Sequence, residues 1–203
     1  MTIEYNSPLE NYLLRFSLKL SPYFKKYNFK PNDITTLGVM FNYTSLIALS
    51  TNEYILFIIF LLMGHFCDIM DGAYARLYHM ESKFGYYYDH IADGVKIGAL
   101  FYMMYMLYRN KITFFQINLI LLICFISTVY FSSKARLQEL NGIKHNHVNK
   151  LWSHLGKYLG DKNTLANLIK YSKYFDENFS LIYILCIISY IHFKYYRNLN
   201  VNI

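Results

Sequence analysis

Residues 68–93 read DIMDGAYARLYHMESKFGYYYDHIAD, four aspartates set into one of the most apolar parts of the chain. On a helix, offsets of three, four and seven put Asp68, Asp71, Gly72 and Ala75 on one face. Gly85, Asp89 and Asp93 recur at every fourth residue, a step that drifts by only about 40° around a helix, so they share a face as well. A short turn around Met80 to Phe84 joins the two segments and makes them antiparallel neighbours whose acidic faces can meet.

The surroundings of this stretch read as membrane. Of 203 residues, 55% are apolar and 19% aromatic against 16% charged, too apolar a balance for most soluble domains of this size. Uncharged runs occupy 34–52, 54–67, 112–133 and 178–193. A helix needs about 20 residues to cross about 30 Å of hydrocarbon, so the first and third of these suffice alone. The run after Glu53 can extend through the aspartates to about Tyr78, and a further pass can run from about Gly85 to Tyr108, provided the acids face protein or water. The predicted fold is an all-α polytopic membrane helix bundle with five clear spans. A sixth lies in 143–176, an amphipathic, basic stretch that reads either as an interfacial hairpin or as a poorly apolar span. Six is the preferred count, because it returns the basic Lys194 and Arg197 to the cytoplasmic side.

Before the first span, Ser7-Pro8-Leu9-Glu10 has the form of a capping box with proline at the first helical position, and Leu9, Leu13, Phe16 and Leu20 then share a face. This predicts an N-terminal amphipathic interfacial helix within residues 1–30, ahead of a transmembrane bundle over 31–203, the whole forming a single domain. No removable signal peptide is expected. Cys67, Cys124 and Cys186 are isolated, apolar in context and odd in number, and read as free thiols.

Charge sets the orientation. Fifteen basic residues fall in the segment before span one, between spans two and three, and from Lys134 to Lys173, against only Arg109 and Lys111 on the other side. By the positive-inside rule the richer side is cytoplasmic, and the aspartates open toward it. The net charge of +7 suits anionic lipid, whereas no basic stripe free of the membrane supports a nucleic-acid partner.

Four carboxylates close together in low dielectric repel one another unless cations neutralise them. Oxygen-only ligation favours Mg²⁺ or Mn²⁺ over zinc, and carboxylates from two helices can hold two such ions. A pair of ions of this kind clamps a diphosphate. Gly72, Ala75 and Gly85 remove side-chain bulk where a ligand or the neighbouring helix must come close, and Arg76 offers a planar cation suited to phosphate. Solvated surface acids would not include one as deep in a span as Asp93.

The string Asp68-x2-Asp71-Gly72-x2-Ala75-Arg76-x8-Gly85-x3-Asp89-x3-Asp93 resembles the complete signature of the class-I CDP-alcohol phosphatidyltransferases. Lys30-Pro31-Asn32-Asp33-Ile34-Thr35 is similar, more loosely, to that family's lead-in to its first membrane helix. The resemblance implies an enzyme that moves a phosphatidyl or related substituted phosphate group from a CDP-alcohol to a hydroxyl and releases CMP. It implies metal ligation by Asp68, Asp71, Asp89 and Asp93, with Asp93 also the general base. Gly72, Ala75 and Gly85 would shape the CDP-alcohol pocket, and Arg76 would contact the diphosphate. The implied partners are a CDP-alcohol lipid donor, a small alcohol acceptor, membrane lipids and a second copy of the chain in a homodimer. The chain length is similar to that of members using CDP-diacylglycerol, while Asp89-His90 resembles the choline and ethanolamine phosphotransferases, which act on diacylglycerol; the acceptor stays open among several alcohols.

Lys134 and Arg136, where span four re-enters the cytoplasm, are candidates for binding a phosphorylated acceptor, against the alternative of headgroup snorkelling. His145, His147 and His154 lack the carboxylate or cysteine framework of a metal site and read as solvent or headgroup contacts. His90 reads as a packing residue beside the acids, or as an outer partner of Asp89. An intramembrane prenyltransferase would show two separated acid motifs in a longer chain. An ion transporter would explain the aspartates but not Gly72, Ala75 and Arg76 in register with them.

Overall fold

The computed structural model describes residues 6–142 and 147–196, side chains excepted at 147–150 and 196. All regular structure among them is helical. The order is α1 (Pro8–Lys26), α2 (Pro31–Ser50), α3 (Tyr54–Leu77), α4 (Lys83–Tyr108), α5 (Phe114–Leu140), α6 (His147–Gly156), α7 (Lys162–Ser172), a 3₁₀ turn (Lys173–Phe175) and α8 (Glu177–Tyr196). Helices α3, α5 and α8 are long and apolar enough to cross a membrane. With 20 and 26 residues, α2 and α4 have the length, at about 1.5 Å per residue, but carry more polar side chains.

The stretch in which a sixth span was expected holds α6 and α7, of 10 and 11 residues. Each covers roughly 15 Å, half the hydrocarbon thickness, so neither crosses by itself. They are separated by Gly160, whose φ of 124° favours glycine, and by Asp161, which caps α7 by accepting hydrogen bonds from the Thr164 backbone N–H (3.0 Å) and hydroxyl (2.5 Å). Those bonds hold the Asp161 carboxyl below the ordinary carboxylate range.

The chain divides into two compact units, Tyr12–Asn110 and Met1–Asn11 with Lys111–Ile203. In the first, α2 is the central helix: it packs along α3 and more lightly on α4. The α2/α3 seam is tight because it is lined by glycine. A Cβ added at Gly38 would lie 3.1 Å from Cys67 Cβ and 3.3 Å from the Gly64 carbonyl oxygen, and the Asn42 amide occupies the space over Gly64. Ile34, Met70 and Tyr74 form the fully buried centre, with Leu20, Phe24 and Phe29 packed against it. Tyr74 also donates its phenolic hydrogen bond to the Phe29 carbonyl at 2.7 Å, fixing α3 to the link between α1 and α2.

In the second unit, α5 is the axis on which α6, α7 and α8 pack. Ser7 caps α1 as its sequence predicts, accepting from the Glu10 N–H at 3.0 Å. The Glu10 carboxylate does not close the box; it accepts from Lys134 Nζ at 3.1 Å through both oxygens. The Ser7 hydroxyl donates to Asp176 Oδ2 at 2.6 Å, and Asp176, 2% exposed, also accepts from Asn178 Nδ2 and from the Phe179 N–H in the first turn of α8. Cys67, Cys124 and Cys186 are all free thiols.

A close helix approach in this unit lies at Gly156, where an added Cβ would overlap the Ser132 carbonyl oxygen and Arg136 Cβ. Backbone cannot give way there as a flexible side chain could. Gly156→Ala is expected to cost about 1–3 kcal/mol of stability in a reversible unfolding assay in detergent. Gly98→Ala, where no neighbour lies within 4 Å, is expected to be neutral or slightly stabilising. Equal behaviour of the two variants would refute this account of the α5/α6 seam.

Candidate active site

The four aspartates occupy the unit built from α2, α3 and α4, as their periodicity predicts. Asp68 and Asp71 project from the second half of α3, Asp89 and Asp93 from the first half of α4. Ser82 starts α4 by accepting from the Gly85 N–H at 3.0 Å, which sets the register of both α4 acids. One carboxylate oxygen each from Asp68, Asp89 and Asp93 lie within 4.8 Å of one another. Asp71 stands apart from that trio. It is 5% exposed and accepts a 2.5 Å hydrogen bond from the Thr35 hydroxyl of α2.

The signature glycines sit where space is short. A Cβ at Gly72 would lie 3.2 Å from Arg76 Nη1, so the guanidinium folds back over Gly72, one turn away on the same helix. A Cβ at Gly85 would lie 2.9 Å from the Asn32 side-chain oxygen, and this bare position lets the start of α2 meet the start of α4. Ala75 is half-buried on the same face of α3 as the acids.

A cavity of about 440 Å³ opens beside the acids, lined by Thr35, Asp68, Asp71, Asp93 and Lys96 and continuing along apolar side chains such as Val39, Leu46 and Val95. Lys96 bonds Asp93 directly, three residues back along α4, and its Nζ lies 3.8 Å from Asp68 Oδ2. Asp89 Oδ1 is buried without a hydrogen-bond donor. A buried carboxylate oxygen in that state calls for a cation or a proton. The donor set is all oxygen, and these residues therefore fit a hard divalent metal such as Mg²⁺ or Mn²⁺.

Other residues singled out in the sequence fall elsewhere. His90 Nδ1 lies 3.7 Å from Asp89 Oδ2, and its ring centroid lies 4.2 Å from that of Tyr86, so it both packs and borders the acids. Lys134 and Arg136 belong to the other unit, where each already holds an acid: Lys134 pairs with Glu10 and lies over the Tyr130 ring, and Arg136 pairs with Glu139 at 2.8 Å. His154 packs edge-on against Tyr158, while His145 and the His147 side chain lie outside the described residues.

Three site residues escaped the sequence reading. Thr35 lies in the quoted lead-in to span one, but nothing in its spacing tells which carboxylate it meets. Asn32 reaches Gly85 across a tertiary contact with no local signal. Lys96 did carry a signal, being an ionisable residue inside a span, which marks function by default.

Together these features define a helical membrane protein with an oxygen-only acidic centre on two consecutive helices. The family described as CDP-alcohol phosphatidyltransferase matches over residues 29–156, from the start of α2 to the end of α6, and the chain belongs to that family. An uncharacterized protein of Aquifex aeolicus (strain VF5) is 35% identical over 71 residues, a match covering 35% of this chain and 36% of that relative, so the chain spans about a third of the relative's length. No solved structure matches.

If Thr35 positions Asp71 for metal, Thr35→Val, which keeps the shape and removes the hydroxyl, is expected to weaken Mn²⁺ binding by about 10- to 100-fold. Equilibrium dialysis or Mn²⁺ electron paramagnetic resonance on the purified chain would measure it. An unchanged affinity would show that Asp71 needs no help from α2.

Proposed function

We propose that this chain transfers a phosphatidyl group from a CDP-alcohol, with CDP-diacylglycerol the preferred donor, to the hydroxyl of a small alcohol, releasing CMP. The observation carrying this reading is the convergence of Asp68, Asp89 and Asp93 within 4.8 Å, inside a chain of this family and beside a cavity that turns from acidic to apolar. A lipid-linked diphosphate has the same polarity.

Asp68, Asp71, Asp89 and Asp93 are the residues that would hold Mg²⁺ or Mn²⁺, two ions in all. Bound there, divalent metal would neutralise the diphosphate and the charge that develops on its oxygens during transfer. The residues themselves do the rest. Arg76, on the Gly72 face, would bind a phosphate oxygen, while Gly72, Ala75 and Gly85 keep room for the nucleotide. Asp93 would accept the proton of the incoming hydroxyl as its oxygen bonds to the lipid-side phosphorus. The bond from that phosphorus to the bridging oxygen then breaks, and CMP departs with the electron pair.

The excess of basic residues on one side supports an integral, multi-pass protein whose site opens to the cytoplasm, where the acceptor and CMP are soluble. Lys134 and Arg136 would serve a phosphorylated acceptor only by giving up their acid partners. The homodimer is carried by family resemblance.

The purified protein in detergent or liposomes, given CDP-diacylglycerol, Mg²⁺ or Mn²⁺ and one candidate alcohol at a time, is expected to release CMP with the correct acceptor. Asp89→Ala should abolish this. Asp93→Asn should lose activity by about 10²-fold or more while retaining part of its metal binding. Full activity in Asp93→Asn would exclude the base role. Release of CMP from CDP-choline or CDP-ethanolamine with diacylglycerol, and none from CDP-diacylglycerol, would reverse donor and acceptor.

A further inference from the structure

Lys96 has no place in the signature, yet it lies against two of the site's carboxylates. It lies on α4 about 20 Å from the helix start, and its side chain is 16% exposed. A lysine in such surroundings must find counter-charge, and Lys96 finds it in Asp93 and Asp68, bridging the α4 acids to α3. A cation held jointly by those two carboxylates would take the place its ammonium now takes.

We propose that Lys96 is a tethered counter-ion that makes full metal loading of the site depend on the donor's diphosphate, an inference that rests on the metal-dependent reading above. The charges argue for it. The four aspartates and Lys96 together carry three net negative charges, so one divalent ion leaves the empty site slightly negative and a second makes it positive. In low dielectric that excess is costly, and the second ion must also displace an ammonium from two of its own ligands. A bound diphosphate reverses the sign and makes room for the second ion. Remove the lysine, and four carboxylates are balanced by two divalent ions with no nucleotide at all. Lys96 is on this account a positioning residue: it acts on the metal, not on the reacting atoms.

The test counts Mn²⁺ bound to the purified full-length chain in detergent, by equilibrium dialysis and electron paramagnetic resonance, with and without CDP. The wild-type protein is expected to bind one ion tightly alone and two with CDP. Lys96→Met and Lys96→Gln are expected to bind two without CDP, the second at least about tenfold more tightly than in wild type, and Lys96→Arg to behave as wild type. Unchanged stoichiometry in both neutral variants would overturn the proposal while leaving metal dependence intact. Two ions bound equally well by the wild type with and without CDP would overturn it whatever the variants do. Binding of no Mn²⁺ by any form would remove the metal reading itself, and this inference with it.

Discussion

Carboxylates inside a membrane helix must be neutralised, and that requirement organises the α2, α3 and α4 unit. Asp68, Asp71, Asp89 and Asp93 stand in three different situations. Asp71 takes a hydroxyl from α2, Asp93 and Asp68 take the Lys96 ammonium, and Asp89 keeps one buried oxygen without a donor. A site of this kind is poised rather than satisfied. The partners present in the chain answer part of the negative charge, and a cation bound as proposed would answer the rest.

Such a site demands a rigid frame, which glycine and tyrosine supply. Gly38 and Gly64 bring α2 and α3 close enough for Thr35 to reach Asp71, and Tyr74, fully buried one turn beyond Asp71, fastens the same helix to Phe29. Side chains from α2, α3 and α4 together wall the space beside the acids. A cavity lies beside the acids where close packing would otherwise fill the space.

The parts that follow from periodicity were legible in the sequence. Offsets of three and four within 68–93 place the acids on two facing helices, and the four uncharged runs, with the further pass from about Gly85 to Tyr108, mark five helices of 20 residues or more. Contacts between segments distant in the chain were not legible. Thr35 with Asp71 and Asn32 with Gly85 depend on how α2 lies across its neighbours, which no spacing encodes. The stretch 143–176 kept two readings because its amphipathic pattern fits a hairpin or a shielded span equally; Gly160 and the Asp161 cap settle that its described part is two short helices, although composition alone ranked neither. Glu10 shows the opposite failure. A good local motif gave way to a distant lysine, since an ion pair with Lys134 competes with a single backbone hydrogen bond.

The hydrogen bond from Ser7 to Asp176 joins residues 169 positions apart. The serine that opens the first helix is thus bonded to the aspartate that caps the last one, within one compact unit that contains both. During synthesis Ser7 leaves the ribosome long before Asp176 exists, and the intervening chain must be laid down first. The α2, α3 and α4 unit, contiguous in sequence, can therefore assemble its acidic centre while the other unit still waits for its final strut.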